Sequence, residues 1–300
     1  MCNSATPPSQ SCQSPEPQEK AIKEMDLNPS RCLPPLKLAV VGHQEWVTFL
    51  TVDSLPEPGR ISRSLRCIEE PAGAGAVVAV QLARLTGERI PFFTALGNDA
   101  IGHRSVSRLR DLGVDAHVAW RDCASRRGIS LATEGGDRAI TVIGERLTPS
   151  ASDSLPWDLL SHCDGAFVSA SDVQGLRLAR QARVLTATPR LRQPLLQEAD
   201  VELDALIGSG LDPDEQLDLT ELTTTPRLVV RTCGQEGGSL EPGGRYVSVE
   251  PPGDLGDSYG CGDSFAAGMT AGLAAGWSPA DAAHLGATCG AACASRFGPY

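Results

Sequence analysis

Three hundred residues with 41% apolar side chains are enough to bury a sizeable core in one large domain or two small ones. A net charge of −11 argues against nucleic acid as a main partner, because phosphate contacts need clustered Lys and Arg. No apolar run approaches the ~20 residues of a membrane span, and the first residues lack a basic-then-apolar leader pattern. The ten cysteines show no CxxC and no zinc-like His/Cys set. The reading is a cytoplasmic protein with buried free thiols. Its lysines, Lys20, Lys23 and Lys37, all fall at or before the first expected strand. Cationic chemistry in the body of the chain therefore belongs to Arg.

Residues 1–35 are rich in Ser, Pro, Gln and charge. They cannot bury enough apolar surface to offset ordering entropy, so a disordered arm is expected there. LKLAVVG, Leu36 to Gly42, reads as a buried parallel strand. In open α/β sheets ligands bind at the carboxyl ends of such strands, which makes Glu45 a substrate-binding candidate and leaves His43 a satisfied loop residue. Leu55 to Gly59 is a turn. The alternating stretch 60–70 and the pair Gly128–Thr133 and Arg138–Ile143, joined at Glu134–Asp137, predict a small β-flap over about 60–70 and 128–143. Arg126 and Arg127 precede the hairpin. They read as solvated surface arginines, with contact to an anionic substrate as the alternative.

Pro71 to Ala76 is a Gly-rich loop running into a helix from Val77 to Leu85. Strands are expected at Ile90–Ala95, Val114–Trp120, Gly165–Ala170, Val184–Ala187, Ala205–Gly208 and Leu228–Arg231, separated by helical pieces. That alternation predicts an α/β fold, a doubly wound and mostly parallel sheet with helices on both faces. Thr232 to Gly237 is another Gly-bearing loop at a strand's carboxyl end, suited to a phosphate or ribose. Ser278 caps a last helix with Pro279 at its first position.

The richest stretch is Asp257 to Ala275, DSYGCGDSFAAGMTAGLAA. Gly260-Cys261-Gly262 forms a tight turn, Asp263 follows, and an apolar helix begins. Amides without intrahelical partners converge at a helix start, where the dipole adds positive charge, so the turn is a ready phosphate site. Asp263 stands beside it, placed to accept a proton from an attacking hydroxyl. An ordinary cap beside an ordinary turn is the alternative.

Asp257 to Gly268 closely resembles the C-terminal signature of the ribokinase-like (PfkB) sugar kinase family. Phe92 to Gly102 with Leu112 to Asp115 looks like the family's N-terminal region, and the likeness runs from about Leu36 to the end of the sequence, over 36–300. The resemblance implies a kinase domain with a flap lid, ATP and Mg²⁺ as cofactors, and a sugar-like small molecule as partner. By position it implies Asp263 as catalytic base and Gly260, Cys261 and Gly262 as the anion hole. Thr232, Gly234 and Gly237 become the nucleotide loop, and Gly73, Ala74, Gly75 and Val77 the sugar-facing loop. Asp257 matches a position that helps hold a monovalent cation. The pattern that supports magnesium becomes Ser209-Gly-Leu-Asp212, which puts Ser209 at the cofactor and Asp212 at the metal. Val47 and Val77 stand where the family has polar sugar-binding side chains, so ribose is not the expected acceptor. A nucleoside kinase and a non-catalytic sugar- or nucleotide-binding regulator are the alternatives. The half-exposed flap raises a homodimer as a further expectation.

Overall fold

In the computed structural model, residues 32–133 and 138–300 are described. The expected arm, apart from 32–35, and the hairpin loop Glu134–Asp137 lie outside them.

The buried strand expected at the start of the body is β1 (Leu38–Val41). Its side chains alternate between two cores. Leu38 and Val40 join one apolar cluster and Ala39 and Val41 the other, as befits a strand covered on both faces. Only Gly42, His43 and Gln44 separate it from β2 (Glu45–Val52), which leaves the first sheet altogether. β2 pairs antiparallel with β3 (Ser64–Ala72) and parallel with β6 (Arg127–Thr133), and β6 pairs antiparallel with β7 (Arg138–Ile143). The flap is thus a four-stranded sheet, β3-β2-β6-β7. Glu45 opens its second strand, where the sequence suggested a loop.

The chain returns to the large sheet through α1 (Ala74–Thr86), β4 (Ile90–Gly97), α2 (Ala100–Asp111) and β5 (Val114–Arg121) before the flap's second half. It continues after the flap with β8 (Gly165–Val168), α3 (Val173–Ala179), β9 (Val184–Ala187), α4 (Gln193–Ala199), β10 (Ala205–Ser209) and β11 (Val229–Thr232). A hairpin, β12 (Gly238–Glu241) and β13 (Gly244–Tyr246), precedes α5 (Cys261–Ala274) and α6 (Pro279–Ala294). The nine strands run in the order β13-β12-β11-β10-β9-β8-β1-β4-β5, and all pairings are parallel except those of β12 and β13.

One core holds Val40, Phe92 and Phe167 under α1, α5 and α6; the other holds Val41, Phe93 and Val168 under α3 and α4. α5 and α6 pack almost backbone to backbone. A Cβ on Gly268 would lie 2.8 Å from the Cα of Gly286, and one on Gly286 would lie 2.8 Å from the carbonyl oxygen of Phe265. Such closeness needs glycine at both positions. It holds the first turn of α5 at the carboxyl end of the parallel strands. Cys289 and Cys293 of α6 are buried thiols outside any disulfide, and Cys293 Sγ–H donates to Tyr259 O at 3.3 Å.

Candidate active site

Gly260 caps α5 in the left-handed region, φ 79°, and a Cβ there would stand 2.6 Å from the carbonyl oxygen of Pro299 and 3.2 Å from Val77. Glycine is the residue that fits. Gly260 O accepts the Ser264 N–H at 2.8 Å, while the Cys261 N–H reaches Ser258 O only at 3.5 Å. Among the described residues, the N–H groups of Gly262 and Asp263 meet no acceptor. Nothing lies within 4 Å of a Cβ built on Gly262, so the space above these amides is open. Two free donors at a 14-residue helix's start make a seat for an anion.

Asp263 is half-buried in this first turn. Burial, and next the like charge of Glu215, push its carboxyl up to about 6, with Arg190 pulling the other way and Glu45 adding repulsion. Glu215 and Glu45 are thus both near enough to disfavour its charge.

Glu45 is buried and held from two directions. Arg126 Nε–H donates to its Oε2 at 2.8 Å and Tyr259 O–H donates to its Oε1 at 3.1 Å. The Gly73 N–H in turn donates to the Tyr259 hydroxyl at 3.2 Å. Tyr259 thereby ties the signature turn to the start of α1 and to the flap. Its ring meets Phe49 edge-on at 4.9 Å, and burial raises its proton affinity, so it stays a neutral donor. Arg126 is part of this network, not a solvated surface residue; Arg127 is exposed. His43 is buried too, and its ring lies 3.1–3.2 Å from where a Cβ of Gly73 would be. Its Nδ1 has no partner, which departs from the satisfied loop residue expected. Burial and the nearby Arg146, Arg126 and Arg190 lower its pKa to about 3, so the ring is neutral.

α1 begins at Ala74, three residues before the expected Val77, with Gly73 at φ 83° as its cap. This reassigns the small-residue loop. Gly73 lines the site beside His43 and Glu45, and Ala74 is half-buried. Gly75 and Val77 face the core instead. A Cβ on Gly75 would be 2.7 Å from His43 O, and Val77 is fully buried against Gly260.

On the other side, Ser209 and Thr232 are register partners at the ends of β10 and β11. The Ser209 N–H donates to Glu215 Oε2 at 2.7 Å, and its hydroxyl accepts from the N–H groups of Leu211 and Asp212. Gly234 and Gly237 both take positive φ in the loop after Thr232; Gly234 is open and Gly237 is tucked against Tyr246 O. Arg190 pairs with both Asp212 and Glu215, the latter at 2.6 Å. Asp257 is buried and its Oδ1 accepts the Tyr259 N–H at 2.9 Å, shaping the turn from below. Among the described residues no cluster of three or more His, Cys, Asp or Glu side chains is placed to cage a metal.

Sequence reasoning missed Tyr259, Glu215, Arg190 and Arg146. Tyr259 was within reach, since an aromatic inside a Gly-rich turn is unusual. The others are brought in by tertiary folding alone.

The pfkB family carbohydrate kinase model matches residues 36–300. A curated relative, ribokinase of Dictyostelium discoideum, is 25% identical over 188 residues, 58% of this chain and 59% of the relative. The chain therefore spans less than two thirds of that relative's length. Probable fructokinase-4 of Arabidopsis thaliana is 28% identical over 66% of this chain and 71% of the relative. Among solved structures, a ribokinase from Thermotoga maritima superposes with a TM-score of 0.71 at 20% identity, covering 88% of this chain and 94% of that one. The match over nearly all of the described body, together with the helix-start site it contains, decides the family: the chain belongs to the pfkB family of carbohydrate kinases.

Proposed function

We propose that the protein transfers the γ-phosphoryl group of ATP to a hydroxyl of a sugar or sugar-like molecule. One observation carries the reading. Two free amides at the start of α5 stand beside a carboxylate whose pKa is raised to about 6, with Glu215 and Glu45 among the charges that raise it.

In this reading Asp263 takes the proton of the acceptor hydroxyl. Its proton affinity, raised to about 6, makes it a stronger base than an ordinary carboxylate yet leaves it mostly ionised at pH 7. The amides of Gly262 and Asp263 donate to the phosphoryl oxygens as charge develops there, which a preorganised pair of dipoles does without rearrangement. Glu45, fixed by Arg126 and Tyr259, presents a rigid polar edge to the acceptor beside Gly73. Ser209, Thr232, Gly234 and Gly237 frame the nucleotide. Glu215 and Asp212 are the carboxylates that would face a magnesium ion brought in with the nucleotide, which would offset phosphate charge there. That fits a metal held largely through phosphates and one or two carboxylates. Asp257 stays a candidate for a monovalent cation. The exposed Ile140, Val142 and Ile143 of β7 keep a homodimer through the flap within the proposal.

The regulator reading has one observation in its favour: Arg190 engages both Asp212 and Glu215. A screen of sugars, sugar derivatives and nucleosides with labelled ATP decides. Transfer of label to at least one acceptor is expected. Clear ligand binding with no transfer to any acceptor would favour the regulator, and transfer to nucleosides alone would make it a nucleoside kinase.

A further inference from the structure

Two thiols lie at the start of α5, and phosphoryl transfer uses neither sulfur. Cys261 is the first residue of the helix, between Gly260 and the free amides of Gly262 and Asp263. It is half-buried, and the space beside Gly262 is open. Cys293 is buried in the last turn of α6. The main chain around the signature turn fixes both sulfurs. Cys261 Sγ lies 3.9 Å from Asp257 O, and Cys293 Sγ lies 3.3 Å from Tyr259 O and 3.7 Å from Pro299 O. The same Pro299 oxygen would stand 2.6 Å from a Cβ on Gly260. A Cβ on Gly290 would stand 3.2 Å from Cys261 O, so α6 runs hard against the first residue of α5. Cys293 follows Gly290 by three residues and shares its face. The two thiols hydrogen-bond each other. That bond is the largest influence on both protons, holding the one on Cys261 and easing loss of the one on Cys293.

We propose that Cys261 and Cys293 form an oxidation site: a peroxide converts them to a disulfide that disables the anion seat, and a thiol reductant restores it. The inference rests on the kinase reading above and adds a regulation of that same site. Cys261, the more exposed sulfur, attacks the peroxide O–O bond, becoming a sulfenic acid and releasing water. Cys293 then attacks that sulfur. The S–O bond breaks, an S–S bond forms, and the displaced hydroxide leaves as water with the Cys293 proton. Two thiols and one hydrogen peroxide thus give one disulfide and two waters, the sulfurs being oxidised and the peroxide reduced. A covalent bond draws the sulfurs closer than a thiol contact does. Gly290 already abuts Cys261 O, so the turn answers by rotating rather than by sliding toward α6. The Gly262 and Asp263 amides are next in the chain and swing off the phosphoryl group with it. In a reducing compartment such a bond is transient, as a reversible signal requires.

The test treats the reduced full chain with hydrogen peroxide. It reads peptide mapping without reductant, and phosphoryl transfer to the acceptor found in the sugar and nucleoside screen. A Cys261–Cys293 disulfide is expected, with transfer reduced at least about 100-fold, the scale of a lost hole donor, and regained with dithiothreitol. A non-hydrolysable ATP analogue should slow the bond's formation by occupying the seat. Cys293→Ala should keep parental activity before treatment and lose less than about threefold after it; Cys293→Ser replaces it if the Ala variant melts early. Cys289→Ala, one turn back on α6, should respond as the parent does. Absence of that disulfide, or a disulfide that leaves transfer unchanged, overturns the inference. So does an equal loss in Cys293→Ala, which would put the damage on Cys261 alone or on other thiols. If the reduced protein phosphorylates no acceptor, the kinase reading fails separately. Thermal shifts with the ATP analogue then decide: stabilisation of the reduced form but not of the disulfide form supports the inference, and any other result refutes it.

Discussion

Asp263 serves two masters. Its carboxyl, raised to about 6, must be ionised for it to act as a base, so kcat/KM should fall on the acid side with an apparent pKa of about 6. The same shift has a stability consequence. An unfolded Asp titrates near ~3.9. Between about pH 4 and 6 the folded form holds a proton that the unfolded chain has already released, so stability falls as pH rises through that window. Asp263→Asn removes the charge. It should be more stable than the parent by about 2–3 kcal/mol at pH 7 and gain little near pH 4, as urea titrations at the two pH values would check. A variant less stable than the parent at pH 7 would mean that the carboxylate is well solvated or well paired. Asp263 was legible in the sequence because the residues that define it are its own neighbours. Glu215, which raises its proton affinity, was not. The sequence pattern pointed to Asp212 three residues earlier, and only the Arg190 pair and the Ser209 amide bring Glu215 to the site.

At the scale of the element, the first turn of α5 separates fold from function by two glycines. Gly260 carries a positive φ and abuts Pro299, so Gly260→Ala should cost at least ~1–2 kcal/mol and lose activity with it. Gly262 has helical neighbours and open space, so Gly262→Ala should keep or slightly raise the melting temperature. Its methyl group would intrude on the seat proposed for the phosphoryl oxygens, and turnover should drop on the order of 100-fold, as when a hole donor is lost. Thermal melts and initial rates of the two variants check the contrast; unchanged turnover in a stable Gly262→Ala would move the anion elsewhere. This helix was readable because turn, cap and apolar run are local. The edges of other elements were less so. α1 starts at Ala74 because a glycine cap and close packing on Phe92 favour it, and neither shows in a periodicity. β2 was hidden because three residues carry the chain from one sheet into another, and β2 pairs with partners some 20 and 80 residues away.

Across the whole molecule, the site is braced by its last two residues. Pro299 O packs on Gly260, and the buried Tyr300 donates its hydroxyl to Pro71 O at 2.6 Å, with Arg84 over its ring at 5.3 Å. Next to Pro71, Glu70 takes a two-point contact from Arg108 of α2, at 2.7 Å for each bond. The flap's root, α1, α2 and the signature turn thus meet at one place, which no reading of local pattern discloses. Tyr300→Ala should cost about 3–5 kcal/mol by urea titration, the price of a large buried ring, and should depress activity beyond what its distance from Asp263 suggests. The parallel sheet itself was legible, because its strands are short apolar runs closed by Gly or polar residues.

The most direct measurement is single-turnover phosphoryl transfer by Asp263→Asn, with nucleotide affinity measured on the same preparation. Loss of about 100- to 10,000-fold in the transfer rate, with nucleotide affinity near that of the parent, is the expected result. Transfer at the parental rate would contradict the assignment of Asp263 as the base, and with it the site built around the start of α5.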